Sequence, residues 1–203
     1  MAGGQQAYPI NTLKQVELGL KMRQGAFNGF FTFFNAKTQE DGGFEVTTRK
    51  YLKDSYNANG IEAEMSWRAG SFAVTGGATF TKAKITTPGA TNGNKPRRQA
   101  DFVYQVAPNY SIGAFEVGAA LVGTTKSFAQ NDNQVVLPAY FIVNPYMAYN
   151  LSDKLSLSLS VNNVFDKLAY TEAEGQGNLG ANSLFIARAL NGRSAKATLK
   201  YSF

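Results

Sequence analysis

Two carboxylate pairs stand two residues apart, Glu62 with Glu64 and Glu172 with Glu174. On a strand, side chains i and i+2 share a face, so each pair could converge on one substrate, and glycoside hydrolysis needs two carboxylates at a set separation. The plainer reading, and the stronger one, is a polar wall whose charge is offset by Arg68 or by lysines on neighbouring strands. The chain has no histidine and no cysteine. The usual general base, the commonest metal ligand and every thiolate are therefore missing. Catalysis would rest on carboxylates, Lys, Tyr or Ser alone, and the chain reads as a non-enzyme with no cofactor or metal cluster in view.

Cationic and aromatic residues gather in two segments rich in loop residues. Arg97 and Arg98 follow Lys95 where such a segment enters a strand, and Arg49, Lys50 and Lys53 lie in another. Together they could hold an anionic ligand through charge-assisted hydrogen bonds. Tyr51, Tyr56 and Phe44 share the second segment and could add an aromatic contact surface, although such rings more often pack a loop against its neighbours. Gly42-Gly43 and Gly175-Gln176-Gly177 lack the strand-to-helix setting of a phosphate loop. The net charge is +6, but the basic residues are scattered with no long Lys/Arg run, which argues against nucleic acid.

The elements that must position these residues have a period of two. Leu155, Leu157, Leu159 and Val161 alternate with Ser156, Ser158, Ser160 and Asn162. Val16, Leu18, Leu20 and Met22 alternate with Glu17, Gly19, Lys21 and Arg23. Ile61, Ala63, Met65 and Trp67 alternate with Glu62, Glu64, Ser66 and Arg68. The pattern predicts nine antiparallel strands over 12–23, 27–38, 58–69, 71–85, 98–109, 113–127, 137–150, 154–166 and 192–203. Most exceed ten residues, whereas globular strands usually run about five or six. Charged residues make up 17% of the chain, against about 25% in soluble domains. No stretch approaches the roughly 20 apolar residues of a membrane helix, so a membrane span would have to be a closed barrel. The connections alternate short (24–26, 69–70, 110–112, 151–153) and long (39–57, 86–97, 128–136, 167–191), as in barrels with tight periplasmic turns and long outer loops. Aromatics stand near the strand ends, in pairs such as Phe72 with Phe80, Phe102 with Tyr110, Phe141 with Tyr149 and Tyr201 with Phe203, as interfacial girdles require.

Three segments carry a family resemblance. The last strand, Gly192-Arg193-Ser194-Ala195-Lys196-Ala197-Thr198-Leu199-Lys200-Tyr201-Ser202-Phe203, resembles the aromatic-terminated strand of outer-membrane proteins. Its Leu199, Tyr201 and Phe203 are then implied to be the signal read by the barrel-assembly machinery. Asn162-Asn163-Val164-Phe165-Asp166-Lys167, with Tyr170, is similar to the N-x-F-D-K-x-x-Y segment that leads into the final outer loop of TonB-dependent receptors. The strand that follows opens with Gly192-Arg193, as theirs does, and Asn59-Gly60-Ile61-Glu62-Ala63-Glu64 resembles their x-G-x-E-x-E strand start. The chain is thereby identified as a C-terminal barrel portion of that family, siderophore-receptor-like, over residues 12–203. The resemblance implies about nine strands of a 22-stranded barrel in the outer membrane of a Gram-negative bacterium. It further implies import of a scarce ligand, foremost a ferric siderophore, with TonB engaged only through an N-terminal plug that has no counterpart here.

Residues 1–11 read as a leading segment, part of an outer loop. No basic stretch followed by an apolar one precedes residue 10, so an exported protein would have lost its leader or the chain begins inside a longer one. Nine alternating strands cannot close as an antiparallel ring, which also points to a longer barrel. Two alternatives stand beside this reading: a small self-contained outer-membrane barrel acting as anchor, adhesin or pore, and a soluble β-barrel that binds an apolar ligand inside.

Overall fold

The computed structural model describes residues 10–45, 50–174 and 185–203, and for 43–45, 50 and 51 the backbone alone. Nine long strands form one antiparallel sheet: β1 (Thr12–Gln24), β2 (Phe27–Glu45), β3 (Lys50–Ala69), β4 (Phe72–Ile85), β5 (Phe102–Ile112), β6 (Phe115–Thr124), β9 (Tyr140–Ser152), β10 (Leu155–Asn162) and β13 (Ser194–Tyr201). Two short hairpins lie in the connections, β7 (Ser127–Phe128) with β8 (Val136–Leu137) and β11 (Tyr170–Glu174) with β12 (Ile186–Ala189). Each long strand pairs with its neighbours in chain order, and β1 and β13 each keep one open edge. Among the described residues no helix is long and apolar enough to cross a membrane.

Tight turns join the sheet at one end. Gly25, Gly70 and Gly113 have φ of 57°, 55° and 56° and lie at the first central position of two-residue connections. Mirror-image hairpin turns need that positive φ because their twist matches the strands. The turn expected at 110–112 falls at 113–114 instead, because Tyr110 and Ile112 continue the alternation of β5 to its end.

The larger correction concerns residues 39–57, expected to be a long loop. The β2–β3 ladder runs unbroken from Phe27↔Trp67 to Asp41↔Lys53, then past a bulge to Glu45↔Lys50. Residues 38–43, Thr-Gln-Glu-Asp-Gly-Gly, include no apolar side chain larger than glycine, so the polar–apolar alternation that marks a strand disappears while the backbone pairing continues. Conversely β5 starts at Phe102, not 98, and β10 stops at Asn162, not 166, because local turns take over at both places.

The register lines up one apolar face across all nine strands. Directly opposed residues run Leu20↔Phe31↔Ala63↔Ala78↔Tyr104↔Gly123↔Phe141 through β1 to β9, and Met147↔Leu159↔Ala197 through β9, β10 and β13. On this face Leu18 is 71% exposed, Leu159 39% and Leu199 67%, and Leu20, Phe141 and Met147 are exposed as well, while Phe31 and Tyr104 are half-buried. The opposite face carries Glu17, Lys21, Glu62, Glu64, Gln105, Asn109 and Glu116, and there Thr32, Ala36, Thr81 and Ile85 are buried. The sheet therefore turns its apolar side outward and its polar side inward, the inverse of a soluble barrel.

Aromatic rings mark both limits of the apolar band. Phe72 opposes Tyr110 and Phe115 opposes Tyr149 near the tight turns; Phe80 opposes Phe102 near the long connections. Phe72 to Phe80 is eight residues, about 27 Å along a strand, and about 20 Å in height at a barrel tilt of about 40°. Tyr104 lies over Gly123, whose missing Cβ would stand 2.3 Å from the ring, and stacks between Phe102 (5.4 Å) and Phe141 (6.4 Å).

Candidate functional site

At the end of the sheet opposite the tight turns, the long connections interlock. The 86–101 connection is tied to the 125–139 connection by asparagines. Asn133 Oδ1 accepts from the Lys95 N–H at 3.0 Å and its Nδ2 donates to the Lys95 carbonyl at 2.8 Å; Asn131 Oδ1 accepts from the Arg97 N–H at 2.9 Å. The β7–β8 and β11–β12 hairpins then share a small core of Ala129, Val135, Leu137 and Ala173, with Tyr170 and Ala187 packed against it. The described parts of the three connections are thereby packed together at this end of the sheet.

Arg98 ties all three connections together. Its backbone adopts φ 62°, a left-handed conformation costing a non-glycine residue about 1–2 kcal/mol, and its N–H donates to the Phe128 carbonyl at 2.7 Å. The guanidinium reaches the β11–β12 hairpin, with Nη1 at 2.7 Å from Glu172 and Nη2 at 2.7 Å from Glu174. Arg188 Nε meets the other Glu172 oxygen at 2.8 Å. Two cations and two anions cancel, so the Glu172/Glu174 pair is an ion-pair partner for Arg98 and Arg188 rather than a free acid–base couple. Arg97, by contrast, is exposed, and Lys95 is held by Asp101 at 2.7 Å.

Tyr56 lies on the inner face of β3, opposite Thr38 and Ile85. It stands beyond the apolar band, level with the outward-facing Lys37, Asn57 and Lys84. Its hydroxyl donates to Asp54 Oδ2 at 3.4 Å, and Asp54 also accepts from Thr87. Burial, reinforced by the Glu40 and Asp54 carboxylates, pushes its phenol well above the usual range. It is a neutral donor at any physiological pH. The side chain of Tyr51 lies outside the described ones, as do those of Phe44 and Lys50; Arg49, residues 1–9 and Gly175-Gln176-Gly177 lie outside the described residues altogether.

The inner wall below carries Glu62, opposite Thr32 and Thr79, and Glu64, opposite Phe30 and Gly77. A groove of about 690 Å³ runs past Lys21, Arg23, Phe30, Glu64 and Gln105. Nearer the turns, Asn109 Nδ2 donates to Glu116 at 2.7 Å and to the Tyr146 hydroxyl at 2.8 Å.

The Asn162-to-Arg193 motif residues are structural fasteners. Asn163 (φ 49°) is buried; its Oδ1 accepts from the Lys167 N–H at 2.8 Å and its Nδ2 donates to the carbonyls of Lys167 (3.0 Å) and Asn191 (3.1 Å). Its own N–H donates to Asn144 Oδ1 at 2.7 Å. Asp166 (φ 50°) accepts from the Arg193 N–H at 2.8 Å, and a Cβ on Gly192 would stand 3.2 Å from that carboxylate. Asn162 Nδ2 donates to Ser194 at 3.3 Å, Phe165 is 74% exposed, and Tyr170 packs into the loop core. Residue-by-residue sequence reading missed Asn131, Asn133 and Asn144, for which the only available signal is the density of asparagines. Leu199 and Tyr201 extend the outward row of β13, opposite Leu157 and Leu155, and the Phe203 ring meets Tyr201 edge-on at 5.3 Å.

Residues 7–164 match the family model described as TonB dependent receptor-like, beta-barrel. The ferric-pyoverdine 358 receptor of Pseudomonas putida is 32% identical over 81 residues, which is 39% of this chain and 9% of that protein. Among solved structures, the ferric yersiniabactin uptake receptor FyuA of Yersinia pestis superposes with a TM-score of 0.81 at 18% identity, over 95% of this chain and 30% of that one. The siderophore receptor PiuA of Acinetobacter baumannii gives 0.78 at 20% identity, over 93% and 28%. The ferripyoverdine receptor of Pseudomonas aeruginosa gives 0.72 at 22% identity, over 95% and 27%. The chain thus spans less than a third of the length of these relatives. With its two-faced sheet, its register and the family match over most of its length, the chain belongs to the TonB-dependent receptor β-barrel family.

Proposed function

We propose that this chain forms wall, lumen and outer loops of an outer-membrane receptor that imports a ferric siderophore. The observation that carries the reading is the unbroken apolar outer face and polar inner face across nine strands, joined to relatives that are named as siderophore receptors. The odd strand count leaves β1 and β13 running the same way, so an antiparallel ring needs further strands between them. In this reading residues 1–11 lead into the barrel portion 12–203, Leu199, Tyr201 and Phe203 present the C-terminal signal to the barrel-assembly machinery, and TonB acts through a plug supplied by the complete receptor. Iron is cargo, carried by the siderophore, and the protein supplies no reaction step.

Exposed Arg97 is the cation best placed for an anionic siderophore, with Tyr56 as a neutral donor at the mouth of the lumen and Tyr51 in the same hairpin. Arg98 serves the ligand by holding the final loop through Glu172 and Glu174. The test is uptake of radioactive iron by iron-starved cells with and without the complete receptor. Ferric siderophore should accumulate only with the receptor present and should stop when the inner membrane is uncoupled. Arg97→Ala should weaken ligand binding about tenfold, the scale of one charge-assisted hydrogen bond. Equal iron accumulation with and without the receptor, for each of a panel of ferric siderophores including pyoverdines, would overturn the reading.

A further inference from the structure

The outer face is not apolar along its whole height. Just above the Phe80–Ile61–Phe33 level, the same outward-pointing rows become Asn35, Asn59 and Lys82 on β2 to β4, beside Val16 on β1, and then Lys14, Lys37, Asn57 and Lys84 on β1 to β4. Lys14 stands directly opposite Lys37, Lys37 opposite Asn57, and Asn57 opposite Lys84. The four lysines are exposed, and among the described residues none forms an ion pair. The Lys82 ammonium lies 5.9 Å from the centroid of Phe80, the ring that marks the edge of the band. Asp41 and Lys53, opposite each other, bring the face's single described carboxylate, farther up the hairpin.

The other limit of the band is different. Ala69, Phe72, Ile112, Phe115 and Leu151 end the outer face beside the tight turns without any charge. The asymmetry belongs to one rim only, over four strands spanning about 14 Å. Like charges directly opposed across strands cost stability, so an uncompensated Lys14–Lys37 pair calls for an anion between them. An anion there would sit at the level where aromatic rings meet lipid head groups, beside asparagine amides able to donate further hydrogen bonds.

We infer that Lys14, Lys37, Lys82 and Lys84, with Asn35, Asn57 and Asn59, form a binding site for a phosphorylated lipid head group of the outer leaflet. This rests on the membrane reading above. Four ammonium groups across 14 Å suit a head group with two phosphates better than one, and the apolar rows beneath receive its acyl chains. The lipid neutralises the rim and fixes the height of the receptor in the bilayer.

The test uses the full-length receptor in zwitterionic micelles, titrated with short-chain phosphatidic acid, its phosphatidylcholine counterpart, or inorganic phosphate, with binding counted by native mass spectrometry. The site predicts preference for phosphatidic acid that fades as salt is raised. It also predicts at least tenfold weaker binding in K14Q/K37Q/K82Q/K84Q, and no change in K21Q/R23Q on the inner face. If the fourfold variant does not fold, by the compact band of the unheated protein on a gel, K82Q/K84Q carries the test with at least threefold expected. Phosphatidic acid binding within twofold of wild type, or inorganic phosphate binding as tightly as the lipid, would overturn the proposal while leaving the receptor reading intact. A protein that stays in solution without detergent would overturn both.

Discussion

At the scale of single residues, the family motif acts through geometry. Asn163 closes a turn with three side-chain hydrogen bonds and a left-handed backbone, a conformation in which asparagine is among the few tolerated side chains. Asp166 then fastens the start of β13. Asn163→Ala removes three hydrogen bonds to the backbone of Lys167 and Asn191 and puts alanine at a positive φ, and should cost about 2 kcal/mol, at roughly 0.5–1.5 kcal/mol for each hydrogen bond lost. Urea unfolding of the folded barrel in micelles checks it; a loss below about 0.5 kcal/mol would show the fastener to be dispensable. The motif was legible in the sequence as a pattern, because its residue types and spacing survive. Its bonding was not, because Asn144 and Asn191, which complete it, lie far along the chain and follow no period.

At the scale of elements, strands whose residues alternate apolar and polar could be read and those without that alternation could not. Leu155 to Val161 alternates because hydrocarbon and lumen impose opposite demands on successive residues. Gln39 to Gly43 carries no apolar alternation, so its Gly, Asp and Glu residues resemble a loop while the ladder to β3 continues. The outer connections have a logic of their own, set by ion pairs between distant segments. Arg98, singled out as a ligand contact, bonds Glu172 and Glu174, singled out as a carboxylate pair, 74 and 76 positions away. No local signal links them. A double-mutant cycle of Arg98→Ala and Glu172→Ala should give a coupling of about 1 kcal/mol, the scale of a well-formed, part-exposed ion pair. Limited proteolysis of the β11–β12 hairpin should accelerate several-fold in either single variant. Additive effects with unchanged proteolysis would mean that the hairpin is held by its Ala129, Val135, Leu137 and Ala173 core alone.

At the scale of the whole molecule, composition carried the decisive information. Low charge, abundant aromatics and no long apolar stretch leave few solutions other than a sheet with lipid on one side. The register turns that argument into a surface: an apolar band between two aromatic levels, with lysines beyond one of them. These 203 residues contain no cysteine, so a single cysteine introduced among them, in a receptor cleared of any other cysteine, reports one position. The most direct test of the account places a spin label at each of residues 155 to 161 in the bilayer-inserted receptor and compares collisions with dissolved oxygen and with a water-soluble nickel complex. Labels at 155, 157, 159 and 161 should favour oxygen, which concentrates in lipid, and labels at 156, 158 and 160 should favour nickel, which follows water. The reverse alternation, or a period near 3.6, would contradict it.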